Sequence, residues 1–443
     1  MSSGRKIIVD VLDQVLTKGV FSNVALGAEL NKSDLKDKDK GLVTEVVYGT
    51  LKYKYTIDKI LSGYVKNGLN KVDSYVLNIL RSAVYQMKYL DKIPDFAAVN
   101  EAVELAKKKV SVGASKFVNG VLRSYLRNEK TGNFKAKNKI EELSFGYSFE
   151  EWMVKLFIKQ YGEERAEQIL KGLNKVPKIT FRVNPLKCSY DEAEDKLKEL
   201  GYDIEEGYVC PEAIIINKGK NIESNPLFME GRLTVQDESA MLVAPSMDLE
   251  ENFLVLDLCS APGGKTTHIS EIMNNTGKVK AFDIHKHKLS LIKNTADRLG
   301  VTNIECDIMD ASEYNEAFAD SADRVLIDVP CSGLGIIGKK PEIKWTKTMG
   351  QLKEISEIQR KIMINASKYV KVGGKILYST CTLNKEENDR NVKWFIEKVP
   401  GFEIEALSFG NSDNIIYEED GTVTILPNEA MDGFYIAKFI RVR

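Results

Sequence analysis

No apolar run in this 443-residue sequence approaches the roughly 18–20 residues needed to cross a bilayer, so no membrane-spanning helix is expected. The opening Met1-Ser2-Ser3-Gly4-Arg5-Lys6 leads into an amphipathic pattern and lacks the apolar core and cleavage site of a signal peptide, which makes a cytoplasmic protein the expectation. Cysteine is scarce: six residues, at 188, 210, 259, 306, 331 and 381, with no C-x-x-C pair. The three histidines, 268, 285 and 287, complete no zinc pattern, so neither a metal site nor a disulfide framework is expected. Each cysteine is then either a small buried hydrophobe or a reactive thiol. Charge of one sign is also lacking overall, at a net −1, but residues 1–130 hold 22 Lys and Arg against 14 Asp and Glu. A basic N-terminal third on a near-neutral chain points weakly to nucleic acid, although lysines on solvated helix faces produce the same count.

What is present is ordinary globular composition, 43% hydrophobic and 29% charged, on a chain long enough for two or three domains. The fold class expected is multidomain. Residues 1–135 read as an all-α bundle: Ile7, Ile8, Val11, Leu12, Val15 and Leu16 make the stripe of an amphipathic helix. Similar stripes cover Leu42–Leu61, Tyr75–Leu90, Ala97–Lys109 and Lys116–Leu126, with breaks at Gly68, Pro94 and Gly113. Lys107, Lys108, Lys109, Arg123 and Arg127 are candidate phosphate contacts there. Polar Lys130–Lys139 reads as a linker. Residues 140–230 mix helices (Glu150–Tyr161, Glu164–Leu173, Tyr190–Leu200) with strands (Ile179–Val183, Tyr202–Ile204, Ala213–Ile216), which suits a small α+β domain of ferredoxin-like or RNA-recognition type. No aromatic RNA-stacking signature marks it.

Residues 231–443 alternate strand and helix. Phe253–Leu258, Lys278–Asp283, Asn303–Cys306, Arg324–Asp328 and Lys375–Ser379 are separated by helical patterns at Lys265–Met273, Lys286–Leu299 and Gln351–Val370, and Lys385–Glu397 follows. That order predicts a parallel, doubly wound Rossmann-like α/β sheet, with an antiparallel pair (Thr422–Leu426, Gly433–Arg441) added at its edge. Such sheets bind ligands beyond the C-terminal ends of their strands.

The first of these strands runs into Cys259-Ser260-Ala261-Pro262-Gly263-Gly264-Lys265. Two glycines between strand and helix let a ligand approach the backbone and the helix N–H groups. A phosphate-binding P-loop would need glycine where Cys259 stands, and G-x-G-x-x-G is absent. What remains is a loop suited to the amino-acid end of a nucleoside ligand without phosphates. Asp283 ends the second strand, where an acid can accept from both ribose hydroxyls. After the third, Asp310 is placed for an adenine amino group, with Asp307 as a rival.

The fourth strand ends Asp328-Val329-Pro330-Cys331-Ser332 and the fifth Ser379-Thr380-Cys381-Thr382, which brings both cysteines to one sheet edge. Taken singly, a strand-end cysteine is more often core filler; these surroundings argue otherwise for this pair, whereas Cys188, Cys210 and Cys306 are read as filler. A thiolate adding to carbon 6 of a cytosine turns carbon 5 into an enamine-like nucleophile able to attack a sulfonium methyl. An acid near nitrogen 3 assists the addition, and a base must then remove the carbon-5 proton. Each role has one candidate, with Cys381 to attack, Cys331 to assist release and Asp328 to hold nitrogen 3.

These runs, with Gln236-Asp237-Glu238-Ser239-Ala240 and Pro341-Glu342-Ile343-Lys344-Trp345, resemble RNA cytosine-5 methyltransferases of the NOL1/NOP2/Sun family over about residues 230–443. Ser260 replaces the alanine usual there. The resemblance implies S-adenosylmethionine as donor, Cys381 rather than Cys331 as attacking thiol, a cofactor loop at 259–265, and Asp283, Asp310 and Asp328 as the acids. Phe96-Ala97-Ala98-Val99-Asn100-Glu101 and Phe117-Val118-Asn119-Gly120-Val121-Leu122-Arg123 make the helical region similar to a NusB-like RNA-binding domain. Together the domains resemble the bacterial Sun/Fmu branch, which implies small-subunit ribosomal RNA as partner and, by that resemblance, cytosine 967 of 16S rRNA as target. No membrane, metal or obligate protein partner is expected. Lys265 is read as positioning either the base or the methionine carboxylate; Lys339, Lys340 and Lys344 are read as phosphate contacts. Competing readings are a cytosine-5 methyltransferase acting on tRNA or DNA, and a ribosome-assembly binding factor with vestigial catalysis.

Overall fold

The computed structural model of the chain describes residues 3–128, 134–219 and 222–443. The chain forms two compact units, Met1–Asn174 with Lys339–Thr346, and Lys175–Gly338 with Lys347–Arg443. Among the described residues, no helix is long and apolar enough to cross a membrane.

The first unit is helical. Its opening helix, Ser3–Lys18, buries Ile8, Val11, Leu12 and Val15, the stripe read from the sequence. Ser74–Tyr89 carries the largest share of buried positions, including Ile79, Leu80, Ala83 and Val84. Asp73 caps it by accepting from Val76 N–H at 3.0 Å. The stripe expected over Leu42–Leu61 is two helices, Asp37–Lys52 and Lys54–Ser62, because Tyr53 (φ −102°, ψ 16°) leaves helical geometry. Its ring stacks on Tyr89 at 4.3 Å, an anchor made by tertiary packing. Gly113 is not a break; it lies in the first turn of Val112–Arg127, which Ser111 caps through Ala114 N–H. Lys107, Lys108, Lys109, Arg123 and Arg127 are all exposed. Of the expected linker Lys130–Lys139, residues 130–133 lie outside the described residues, and the helix Lys139–Tyr147 already includes its last one.

The segment Lys339–Thr346 belongs to this unit, and it corrects one expectation. Lys344 is fully buried and touches no solvent, so it is no phosphate contact. Its ammonium donates to Lys52 O (3.1 Å), Ser148 O (3.0 Å) and Asn174 Oδ1 (2.8 Å), at the C-terminal ends of three helices, and lies 3.7 Å from the Phe149 ring centroid. Helix C-termini carry the negative end of the macrodipole, so a cation is matched there without a carboxylate.

The second unit holds two sheets. The strands β1 (Ile179–Val183), β2 (Asp203–Glu206), β3 (Ala213–Lys218) and β4 (Leu233–Val235) form an antiparallel sheet in the order β2-β3-β1-β4, with the helix Tyr190–Glu199 against it. That helix opens with a capping box between Ser189 and Glu192. The larger sheet contains β5 (Leu254–Asp257), β6 (Lys278–Asp283), β7 (Ile304–Ile308), β8 (Ala322–Asp328) and β9 (Val370–Thr380), all parallel where they pair. Then come β10 (Phe402–Ile404), β11 (Ile415–Tyr417), β12 (Val423–Ile425) and β13 (Phe434–Arg441), giving the order β11-β12-β13-β9-β8-β5-β6-β7 with β10 on β13. The tail is antiparallel as expected, but β13 is an interior strand between β12 and β9, in register from Tyr435 opposite Thr380 to Ile440 opposite Lys375. Burial on both faces explains the apolar runs: Val255, Leu256, Val325, Leu326, Ile376 and Leu377 are at most 1% exposed. The chain runs outward from β5 through β6 to β7, then restarts at β8 on the other side of β5. A crevice opens at such a reversal, beyond the C-terminal ends of β5 and β8.

Candidate active site

The loop leaving β5 is shaped by backbone demands. Gly263 adopts φ +105°, and a Cβ there would lie 3.1 Å from Ile292 Cα, so the turn requires glycine. Ala261–Pro262 is a cis peptide. Ser260 fastens the loop to β6, its N–H and Oγ both donating to Phe282 O at 2.8 Å. The helix Gly264–Ile272 starts immediately afterwards, and a Cβ placed on Gly264 would meet nothing nearer than Gln236 at 3.9 Å. Beneath the loop, Asp257 is buried. Its Oδ2 accepts from Thr266 Oγ1 at 2.7 Å, while Oδ1 has no hydrogen-bond partner. Burial pushes this carboxyl up to about 7.

The expected acids surround that loop. Asp283 ends β6, nearly buried, and accepts from His285 N–H at 2.8 Å. Asp310 lies past the end of β7 and accepts from Ser312 N–H (2.9 Å) and Ser312 Oγ (2.7 Å). Asp307 is an exposed residue inside β7, opposite Phe282. Burial, followed by the charges of Asp257, Asp328, Asp283 and Asp310, drives the Cys259 thiol well above its ordinary pKa. Four acids from four strand ends thus act on one point, and Cys259 keeps its proton. Cys188 and Cys210 are buried and Cys306 is half-buried.

At the ends of β8 and β9 the two motif cysteines meet, with Cys331 Sγ 3.1 Å from Cys381 Sγ. The hydrogen bond to Cys381, then burial, then the charges of Cys381, Glu387 and Asp328 push the Cys331 thiol well above its ordinary range. Beside them Lys265 Nζ donates to Asp328 Oδ2 at 2.8 Å, and Ser379 Oγ donates to Asp328 Oδ1 at 2.7 Å. Burial by itself would lower the Lys265 pKa; the negative charge of Asp328, helped by Cys381 and Asp257, outweighs it and raises that pKa. Lys265 also stands 5.2 Å from the Phe434 ring centroid. The structure therefore places Lys265 with Asp328 and the cysteines.

Two sets of residues around the site escape a reading of the sequence. Fully buried Arg182, on β1, spends all five guanidinium donors on this region. It donates to Glu271 Oε2 (3.0 Å) and Oε1 (2.8 Å), to Gly264 O (2.8 Å), to Thr267 Oγ1 (3.2 Å) and to Gln236 Oε1. The smaller sheet is thereby tied to the first turn of the loop's helix. Second, a buried polar network fills the space behind the cysteines, made of Ser332, Gln359, Thr382, Asn384, Glu387, Asn388 and Asn391. The only sequence signal for it is polar residues at 384, 387, 388 and 391, which resemble the outer face of a helix. Among the described residues no cluster of His, Cys, Asp or Glu is arranged to hold a metal ion.

Comparison with known proteins agrees across the chain. Residues 244–440 match the family described as 16S rRNA methyltransferase RsmB/F, residues 2–127 the NusB family, and residues 149–223 a ferredoxin-like domain of RsmF/B-like methyltransferases. The chain is 40% identical to the probable ribosomal RNA small subunit methyltransferase B of Bacillus subtilis, over 98% of each protein. It is 34% identical to the protein of the same name from Synechocystis, over 99% of each. The crystal structure of PH0851 superposes with a TM-score of 0.85 at 28% identity, covering 99% of this chain and 98% of that one.

Proposed function

Because this chain belongs to the RsmB/F family of 16S rRNA methyltransferases, we propose that it methylates carbon 5 of one cytosine in small-subunit ribosomal RNA, with Cys381 as covalent nucleophile. S-adenosylmethionine is the cofactor, and the residues present fit it: a glycine at the helix start where even a Cβ would meet nothing nearer than 3.9 Å, an unpartnered buried acceptor at Asp257, and acids at three further strand ends. Residues 259–265 would hold its amino-acid end, Asp283 its ribose, and Asp310 its adenine. When bound, it supplies an electrophilic methyl group for carbon 5.

The observation that carries the reading is the contact between Cys331 and Cys381, 3.1 Å apart beside the Lys265–Asp328 ion pair. Either sulfur can donate in that contact, but the contact itself, followed by burial, raises the Cys331 pKa, so Cys331 is the thiol that keeps its proton. The Lys265 ammonium adds a nearby positive charge. The thiolate adds to carbon 6, forming the sulfur–carbon bond as the carbon-5–carbon-6 electron pair moves into the ring. Nitrogen 3 takes up a proton passed through the Lys265–Asp328 pair, which receives it back on elimination. Asp328, oriented by Lys265 and Ser379, accepts the hydrogen bond from that nitrogen. Once Cys381 is bonded to carbon 6, its hydrogen bond and its charge no longer act on Cys331. The largest cause of the raised Cys331 pKa is then gone, so the thiol can lose its proton to solvent and, as thiolate, take the carbon-5 proton. The electrons of the broken C–H bond restore the ring double bond and expel Cys381 as thiolate. The base must first leave its helical stack, at a cost of a few kcal/mol. The exposed cations Lys107, Lys108, Lys109, Arg123 and Arg127 are the surface proposed for holding the RNA backbone. The relatives' names favour small-subunit rRNA over tRNA or DNA as substrate, and cytosine 967 of 16S rRNA is the nucleotide proposed.

The test is transfer of tritiated methyl from S-adenosylmethionine to unmethylated small-subunit rRNA. Label in 5-methylcytosine with intact protein and none with Cys381→Ala is expected. Label in another nucleotide, or only in tRNA supplied alongside, overturns the substrate reading. Full activity of Cys381→Ala removes it as nucleophile.

A further inference from the structure

Glu387 is a fully buried carboxylate that pairs with no cation among the described residues. Three N–H donors compensate it instead: Ser332 N–H to Oε2 at 2.9 Å, Gln359 Nε2 to Oε2 at 3.0 Å, and Asn384 Nδ2 to Oε1 at 3.0 Å. Ser332 follows Cys331, and Asn384 lies three residues past Cys381. One carboxylate therefore joins the two loops that carry the sulfurs. Gln359, from the long helix Met349–Tyr369, extends the tie by donating to Pro330 O at 2.9 Å, just before Cys331. Ser332 Oγ and Thr382 Oγ1 lie 2.7 Å apart and close a second link between the same loops. A neutral amide could reproduce part of this shape without the penalty of a buried charge. An unpaired charge kept at this position needs a reason beyond shape.

We infer that Glu387 is a positioning residue for the methyl-transfer reaction: it clamps the Cys331 loop against the Cys381 loop and so holds the two sulfurs at their contact distance. This rests on the assignment of Cys381 and Cys331 given above. Behind the contact with Cys381 and burial, the negative charge of Glu387 is among the causes that raise the Cys331 pKa, together with Asp328, whose charge faces the same sulfur and is paired with Lys265. Loss of the Glu387 charge therefore lowers the Cys331 pKa. Glu387 lies outside the cofactor loop, and S-adenosylmethionine binding should not depend on it.

The experiment uses the full-length protein and small-subunit rRNA carrying 5-fluorocytosine, which traps the carbon-6 adduct because no carbon-5 proton can leave. Adduct formation is followed from pH 6 to 9 for intact protein, Glu387→Gln and Glu387→Asp, and calorimetric S-adenosylmethionine binding reports that each is folded. Glu387→Gln is expected to slow adduct formation about tenfold at neutral pH, the size of a one-unit change in thiol pKa. Its pH profile should change shape, Glu387→Asp should recover part of the rate, and cofactor affinity should stay within about twofold, too little to register as a change in binding energy. A Glu387→Gln protein with the intact rate and profile overturns the inference. So does a rate loss with unchanged profile and no recovery by Asp, which marks a purely structural part. If the intact protein forms no adduct, the nucleophile assignment itself fails, a result distinct from either.

Discussion

Arg182 offers a quantitative test of how the small sheet supports the cofactor loop. Replacing it by methionine keeps most of the volume and removes the charge, stranding Glu271, which is 1% exposed, without its bidentate partner. Removing one member of a buried ion pair costs about 3–5 kcal/mol, because the survivor stays buried and uncompensated. Domains of this size lose roughly 2–4 °C of Tm per kcal/mol, so the transition should fall by roughly 6–20 °C. In Arg182→Met/Glu271→Met no charge is stranded. The remaining loss is the partners of Gly264 O and Gln236 Oε1, at about 1–3 kcal/mol for each unsatisfied group. Those two groups are unsatisfied in both variants, so the double variant should be more stable than Arg182→Met alone by about 3–5 kcal/mol, the cost of the stranded Glu271. Scanning calorimetry, reading the transition that S-adenosylmethionine raises, is the assay. The Arg182→Met protein should also bind the cofactor more weakly, since Gly264 begins the helix that faces it. Additive losses in the double variant would refute the reasoning, because they would mean that Arg182 and Glu271 act independently.

Cys331→Ala should accumulate a covalent RNA adduct visible on denaturing gels, since attack by Cys381 is intact and release is blocked; stable adducts appearing with Cys381→Ala instead would reverse the two roles. Asp257 predicts a pH dependence of stability. Its folded pKa of about 7 stands above the ordinary 3.8, so the folded state binds more protons between these values and loses stability as pH rises through that window. The contribution is about 4 kcal/mol, fully lost above pH 7, and Asp257→Asn should flatten the stability–pH curve over pH 4–7. An unchanged slope in that variant would show that the carboxyl titrates normally.

The parts of this protein legible from sequence are those whose causes are local. The β5 loop is readable because a strand, a glycine at positive φ and a helix start follow one another within about ten residues. The cysteines are readable because each follows a run of buried apolar residues whose end fixes its position. The helix Ser22–Asn31 is not, and the structure shows why: no side chain caps it locally. Its first residue is held by Glu342, whose Oε1 accepts from Ser22 N–H (3.0 Å) and Oε2 from Ser22 Oγ (2.8 Å), 320 residues along the chain. A capping interaction of that range leaves no trace in a short sequence window. Glu387 is hidden differently. The pattern Lys385–Glu397 reads as one helix, whereas the helix is Asp389–Lys398 and residues 384–388 form the turn that points polar groups inward.

Lys344 shows the same limit from the side of charge. Lysines in a loop of an RNA-modifying enzyme invite the reading of phosphate contact, because lysine is almost never fully buried without a partner. The partners here are carbonyls that become available only when the helices Asp37–Lys52 and Lys139–Tyr147 end near one another and Asn174 closes a third. Burial lowers the Lys344 pKa well below its ordinary value, while the oxygen acceptors and the Phe149 ring favour the ammonium. Four oxygens lie within 2.8–3.4 Å of the Lys344 nitrogen, Lys52 O, Tyr147 O, Ser148 O and Asn174 Oδ1, more acceptors than the two N–H groups of a neutral amine could serve, so the geometry supports the charged form. Its neighbours act alike: Trp345 Nε1 donates to Leu51 O at 2.8 Å, and Glu342 holds Ser22. The run Pro341–Trp345 is thus a set of helix caps supplied from a distant part of the chain. Its value lies in satisfying backbone groups that the helical sequence itself leaves open.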